Sequence, residues 1–307
     1  MTLLAPMAAA ATLSGDDPWQ AALLSPEPVA LAIITGVTGP SYRPLGAAMC
    51  VTASGKRTGM LSSGCIDGDV AGHACRLLAG SGERVLRYGA GSRWMDLQLP
   101  CGGGLEITLV PRPDAGFLAE IEARRAGRNS FALSLTPEGE LRMAEPRCEG
   151  FEILFRPEIR VLIFGKGPEA VVFAHLLRSG GFPHLLLSPD EETREAVSVQ
   201  GSLVRSLPRP HLPRDIELDG RTAVVLLFHD HDWEPPILRD VLATPAFYIG
   251  AQGSRRAAAN RAAFLGEMGL SEEEIARVKG PIGLISSARD PRTLAISVLA
   301  EVMAQGR

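Results

Sequence analysis

From Arg160 onward, short β-rich runs alternate with helical stretches, and few folds tolerate that pattern. The runs "RVLIFG", "HLLLS", "TAVVLLF" and "AFYIG" are apolar almost throughout, and two weaker ones lie near "SLVRSL" and "PIGLI". Between them stand "PEAVVFAHLLRSGG", "EETREAVS", "PILRDVLA", "RRAAANRAAFLGEMG", "SEEEIARV" and "PRTLAISVLAEVMA". Strands buried on both faces and joined by helices are parallel strands with crossover connections, which predicts a doubly wound α/β sheet. Ser271 with Glu274 predicts a capping box, and Asp290-Pro291 predicts a capped helix start.

The first half has another grammar. Strands are predicted at "VALAIITGV" and "AAMCVTA", with a hairpin over 47–63 around the turn "SGKRTG". A helix follows over 67–80, with Val70, Ala74, Leu77 and Leu78 on one face and Gly80 closing it. "RVLRYG" and "LEITLV" return to strand, which makes a small α+β unit. Residues 114–157 predict one helix and then a short meander around "PEG". The expected organisation is an arm over 1–27, a cysteine-bearing domain over 28–113, a bridging segment over 114–157 and the parallel-sheet domain over 158–307.

Bulk properties narrow the function classes. A chain of 307 residues accommodates two domains, and 46 % hydrophobic with 21 % charged residues is a globular profile. The net charge of −4 offers no basic face for nucleic acid. No run approaches the ~18–20 apolar residues that span a bilayer. No Lys or Arg precedes Arg43, so the Ala-rich start reads as an arm rather than an export signal. Five cysteines, none spaced as CxxC, predict reduced thiols in a cytoplasm, with neither a disulfide framework nor a metal site.

Two regions carry chemistry. "VLIFGKGPEA" is strand, then Gly165-x-Gly167-x-x-Ala170, then helix. Gly165 permits the tight turn, Gly167 lets backbone approach a phosphate, and the helix N-terminus adds free N–H groups. An ordinary NAD site also places an acid at the end of the second strand. Here that strand ends at Ser188, with Asp190 displaced beyond Pro189. Two more strand ends, "HDHD" (229–232) and "AQGSRR" (251–256), would face the same edge. Ser254 is placed to cap a helix, leaving Arg255 and Arg256 for an anion. His229 and His231 suit hydrogen bonding to a ligand or capping of the strand end. Metal ligation would need a third ligand that the neighbouring sequence lacks.

The second region is a pair of glycine-set thiols, Cys65 in "LSSGCIDG" and Cys101 in "LPCGGG". Gly64 precedes Cys65 at a predicted helix start, where aligned peptide dipoles favour a thiolate and Asp67 and Asp69 oppose one. Cys101 precedes Gly102 and Gly103, whose run can form an anion-binding nest. Neither thiol has a regular packed environment, so both are candidate functional groups. Cys50 on a strand and Cys75 on a helix read as structural, and Cys148 as incidental. On residues alone, other readings stay open: a glycine turn with nothing bound, arginines on a solvated face, an NAD(P)-dependent oxidoreductase using His229 or His231, or a thiol-redox or metal-binding protein.

Taken together, "GPSYRPLGAAMCV", "GMLSSGCIDG", "LPCGGGLEI", the glycine turn, "HDHD", "YIGAQGSRR" and "GPIGLI" followed by "LAISVLAEV" resemble the XdhC/CoxI family over about residues 28–111 and 158–304. Ser63 stands where that family has glycine and Asp67 where it has glutamate. "GKGPEA" and Ser188 depart from the commoner "GAGHVA" and acidic strand end. The resemblance implies a small α+β cysteine-bearing domain followed by a Rossmann-like doubly wound domain, often in a homodimer. It implies no catalysis but a chaperone that binds molybdopterin-type molybdenum cofactor (the monophosphate or its cytosine dinucleotide form). Such a chaperone protects its cargo during sulfuration by a cysteine desulfurase and delivers it to an apo molybdenum hydroxylase, with a cofactor nucleotidyltransferase as a further partner. Cargo contacts are expected from Cys65, Cys101, Gly64, Gly102, Gly103, Gly165, Gly167, His229, Ser254, Arg255 and Arg256.

Overall fold

Alternating burial organises the N-terminal sheet. In a computed structural model of the chain, which describes residues 17–89, 102–136, 138–144 and 150–306, helix α1 (Pro18–Leu24) leads into strands β1 (Val29–Thr38), β2 (Ala48–Thr52) and β3 (Arg57–Gly59). Helix α2 (Asp67–Leu78) and strands β4 (Val85–Gly89) and β5 (Gly104–Pro111) follow. The five strands are antiparallel in the order β3-β2-β1-β5-β4. Along β1, Ala30, Ala32 and Ile34 pack with α2, while Leu31 and Ile33 pack on the opposite face. That is the two-residue period of a pleated strand. Helix α2 buries Val70, Ala74 and Leu78 against the sheet, with Leu77 half-buried.

The opposite face is covered by α1, by helix α3 (Ala115–Ala126) and by a small sheet of β6 (Phe131–Leu135), β7 (Leu141–Met143) and β8 (Phe151–Phe155). Trp19, Leu118, Ile121, Phe131 and Leu133 pack there with Leu31, Ile33 and Cys50. The segment expected as a bridge is therefore a structural layer. Its strand order is β7-β6-β8, not the sequential order of a meander. Mostly buried β6 takes the centre, and the short, more exposed β7 takes an edge. Of the expected arm, α1 is ordered by its Asp17 cap, and residues 1–16 lie outside the described residues.

A second unit begins at Glu158. It contains β9 (Arg160–Gly165), α4 (Pro168–Ser179), β10 (His184–Ser188), α5 (Glu191–Ser198), β11 (Val204–Ser206), β12 (Thr222–Leu227), α6 (Glu234–Leu242) and β13 (Tyr248–Ala251). It ends with α7 (Arg255–Glu267), α8 (Glu272–Ala276), β14 (Val278–Lys279) and α9 (Pro291–Gln305). All strand pairs are parallel, in the order β11-β10-β9-β12-β13-β14. Numbered within the unit this is 3-2-1-4-5-6, the order of a dinucleotide-binding sheet. Val161, Ile163, Ala223 and Val225 pack with α4 and α9, while Leu162, Phe164, Val224 and Leu226 pack with α6 and α7. The capping box at Ser271 and Glu274 and the Asp290-Pro291 start both form. The sixth strand is not "PIGLI" but Val278–Lys279 just before it. Pro281 has no N–H to pair, and Gly283 turns the chain at φ +100°.

Candidate functional site

The antiparallel sheet gathers both glycine-set loops at one end. Thr38 at the close of β1 pairs with Gly104 at the start of β5, and Gly104 pairs with Gly89 at the close of β4. Ala48 opens β2, and Gly59 closes β3 opposite Met49. The connections 39–47 and 60–66 and the approach to β5 through Gly102 and Gly103 therefore leave the sheet on the same side. This juxtaposition comes from strand direction, not from sequence proximity.

Cys65 is exposed on the connection into α2. The loop beneath it is held by an acid that the sequence reading treated only as a charge. Asp67 is 6 % exposed, and its Oδ1 accepts from Leu61 N at 3.3 Å, Ser62 N at 3.0 Å and Ser62 Oγ at 2.9 Å. The Ser62 hydroxyl oxygen accepts in turn from Gly64 N at 3.1 Å and Ile66 N at 3.3 Å. Gly64 is needed for its φ of +97°, since a Cβ there would meet nothing within 4 Å. These bonds fix the backbone on both sides of a thiol whose side chain stays accessible. A serine five residues ahead of an acid, with glycine between them, is the signal that could have found this support.

Gly103 has a different constraint. A Cβ there would fall 2.0 Å from Pro40 O and 3.0 Å from Thr38 O, so the Thr38–Pro40 turn is built against bare backbone. Gly102 is exposed with φ +70°. Cys101 and Cys148 lie outside the described residues. Cys50 is buried on β2, and burial pushes its thiol up to about 11. Cys75 is half-buried on α2, its Sγ 3.7 Å from Thr52 O.

In the second unit, the topological switch point lies between β9 and β12, where open α/β sheets receive ligands beyond the carboxyl ends of their strands. A Cβ on Gly165 would meet Leu227 O at 2.6 Å, so glycine allows β9 and β12 to close up. Gly167, at φ +84°, precedes α4, and its N–H donates to Thr193 Oγ1 at 2.9 Å. Asp190 caps α5 by accepting from Thr193 N at 2.8 Å and from Thr193 Oγ1 at 2.5 Å. The Thr193 bonds hold its carboxyl below the usual range. Glu169, in the first turn of α4, is 13 % exposed, and its Oε2 lies 3.2 Å from Nε2 of the 64 % exposed His229. Oε2 accepts no aligned hydrogen bond among the described residues, so that approach is a close contact off the hydrogen-bond line, ionic only when the imidazole is protonated. Sequence reasoning missed Glu169, although its place in "GKGPEA" was the available signal. Only the backbone of His231 is described, in a short 3-10 turn, and the described residues contain no cluster of three or more potential metal ligands.

Across the switch point, Ser254 caps α7 by accepting from Ala257 N at 3.1 Å, as expected. Arg255 and Arg256 are exposed on its first turn. Arg261, from the same helix, is buried and donates to Glu234 Oε2 at 2.8 Å and to Gln252 O at 2.7 Å. It ties the loop after β13 to the start of α6, so this edge is a fixed frame. The sequence reading did not single out either partner, because a buried pair between distant segments has no local pattern.

The comparisons follow the same division. The XdhC and CoxI family model matches residues 22–89, and the XdhC Rossmann domain model matches residues 161–302. The molybdenum cofactor insertion chaperone PaoD of Escherichia coli (strain K12) is 34 % identical over 288 residues, covering 92 % of this chain and 84 % of that protein. A probable xanthine dehydrogenase subunit from Bacillus subtilis (strain 168) is 24 % identical over 316 residues, covering 90 % and 93 %. A Bacillus halodurans protein solved as a xanthine dehydrogenase shares the fold at a TM-score of 0.76, with 19 % identity and 94 % of each chain covered. With both family models matched in order and a relative above 30 % identity over nearly its whole length, this chain belongs to the XdhC/CoxI family.

Proposed function

We propose that this chain is a molybdenum cofactor insertion chaperone, a carrier and not an enzyme, which holds the cofactor while its terminal sulfido ligand is installed and passes it to an apo molybdenum hydroxylase. The observation that carries this reading is the exposed Cys65 on a loop fixed by Asp67, at the same sheet end as Gly102 and Gly103. A rigid, accessible thiol beside glycine backbone suits a soft, anionic metal–dithiolene cargo better than it suits a packed core. Cys101 and Gly64 belong to the same proposed contact set. On the parallel sheet, Ser254, Arg255 and Arg256 supply an anion-binding edge, and Gly165, Gly167 and His229 line the ligand across the switch point. A cysteine desulfurase and the apo hydroxylase are the partners this role requires. A nucleotidyltransferase belongs with them if the cargo is the cytosine dinucleotide form. The working form is a homodimer in the cytoplasm.

The test is copurification with a molybdenum cofactor source, followed by assay of released pterin. Wild type should retain pterin, and Cys65→Ala and Cys101→Ala should each retain at least about tenfold less, the equivalent of ~1.4 kcal/mol or more. Absence of pterin from wild type, or retention at the wild-type level in both variants, overturns the reading.

A further inference from the structure

The glycine loop of the parallel-sheet unit has the right strand order and position for a dinucleotide, yet at the turn itself and after the second strand the groups that would grip one are missing or otherwise engaged. In a dinucleotide site, N–H groups at the start of the first helix face the pyrophosphate, and an acid after the second strand holds the ribose hydroxyls. Here the Gly167 N–H donates to Thr193 Oγ1. The next residue, Pro168, has no N–H at all. Glu169 follows, with Oε2 positioned 3.9 Å from where a Gly167 Cβ would stand, so a carboxylate lies over the turn. The Asp190 carboxylate is engaged as the α5 cap through Thr193.

We infer that Pro168, Glu169 and Thr193 form a specificity filter that turns a dinucleotide pyrophosphate away from this loop. The devices are independent: a missing donor, an occupied donor, and a like charge where phosphate would sit. Rejecting a competitor through unpaired groups and repulsion is as effective as attracting the right ligand. The domain thus keeps the dinucleotide-binding architecture while excluding the abundant nicotinamide dinucleotides of a cell. Granting the reading of this edge as ligand-binding, the acidic tail of the ligand is left to the Arg255–Arg256 side, and an uncharged part approaches Gly167. His229, with Nε2 3.2 Å from Glu169 Oε2, offsets only the like charge when its imidazole is protonated, and it leaves the missing and the occupied donor as they are.

The test is a titration of the full chain with NADH and, separately, with inorganic pyrophosphate. Wild type is compared with Glu169→Gln, which keeps the side-chain shape, and with Pro168→Ala/Glu169→Gln, which also restores an N–H. Saturable binding should be absent or weak in wild type and should strengthen by about tenfold for each restored contact to a phosphate oxygen. Wild type binding NADH as tightly as the double variant overturns the inference. So does a double variant that melts like wild type and gains affinity for neither probe. Pterin retention by the same variants is a separate readout, so failure of the filter and failure of the carrier reading are distinguishable.

Discussion

Replacing Asp67 tests whether the Cys65 loop is built or merely left over. Asp67→Ala removes the acceptor of two buried backbone donors, Leu61 N and Ser62 N, and of the Ser62 hydroxyl. The hydroxyl can rotate to another partner, but the two amides cannot. Each orphaned buried donor costs about 1–3 kcal/mol. Because they share one acceptor, the combined loss is taken as ~3 kcal/mol rather than the full sum. For a unit of about 150 residues, about 2–4 °C of melting temperature accompanies each kcal/mol, so the N-terminal unit should melt ~6–12 °C lower. The two units need separate probes, since a two-unit chain need not unfold in one step. Asp67→Asn keeps an acceptor oxygen but gives up charge assistance, and about half the loss should return. Alkylation mapped by mass spectrometry supplies the second readout. Cys65 should react in every variant, while Cys50, buried and pushed up to about 11, should stay unmodified in any chain that remains folded. Retained pterin should fall in Asp67→Ala although Cys65 itself is intact. Melting within ~2 °C of wild type together with full pterin retention would refute the argument that this carboxylate organises the loop.

Two further outcomes follow from the packing. Gly103→Ala drives a methyl group to within 2.0 Å of Pro40 O and should cost about 1–3 kcal/mol while loosening amide protection at Thr38 and Gly39. Unchanged exchange there would show that the turn does not rest on bare backbone. His184 is buried, and that burial holds its imidazole below the ordinary value of 6.5, while Nδ1–H donates to Phe182 O and Nε2 accepts from Ser202 Oγ. The unfolded chain therefore binds this proton more readily. The associated stability is complete above 6.5 and is lost as pH falls through the native value, so the urea midpoint should decline over that window and the decline should flatten in His184→Gln.

Periodicity made the fold legible. Apolar runs such as "TAVVLLF" between amphipathic helices admit parallel strands and little else, and all six strands are parallel. Local chemistry was legible for the same reason: Ser254, Ser271 and Asp290 cap their helices because a cap is a bond between residues two or three apart. The weak run "PIGLI" misled because apolar content says nothing of whether a proline can join a ladder. The layer formed by 114–157 was read as a bridge because its partners, Leu31 and Ile33, lie some hundred residues upstream and share no local pattern with it.

What the sequence alone determined is whatever depends on neighbours along the chain: the helix and strand periods, the caps, the accessible thiol set among glycines, and the family likeness of its motifs. What tertiary structure decided is whatever depends on neighbours in space. The Gly167 amide belongs to Thr193, twenty-six positions away, and the Glu169 carboxylate turns toward His229, sixty positions away. Hydrogen bonds and charges act over a few ångströms, and the crossovers that bring those atoms so close are encoded by the burial of entire strands, not by the residues that finally meet.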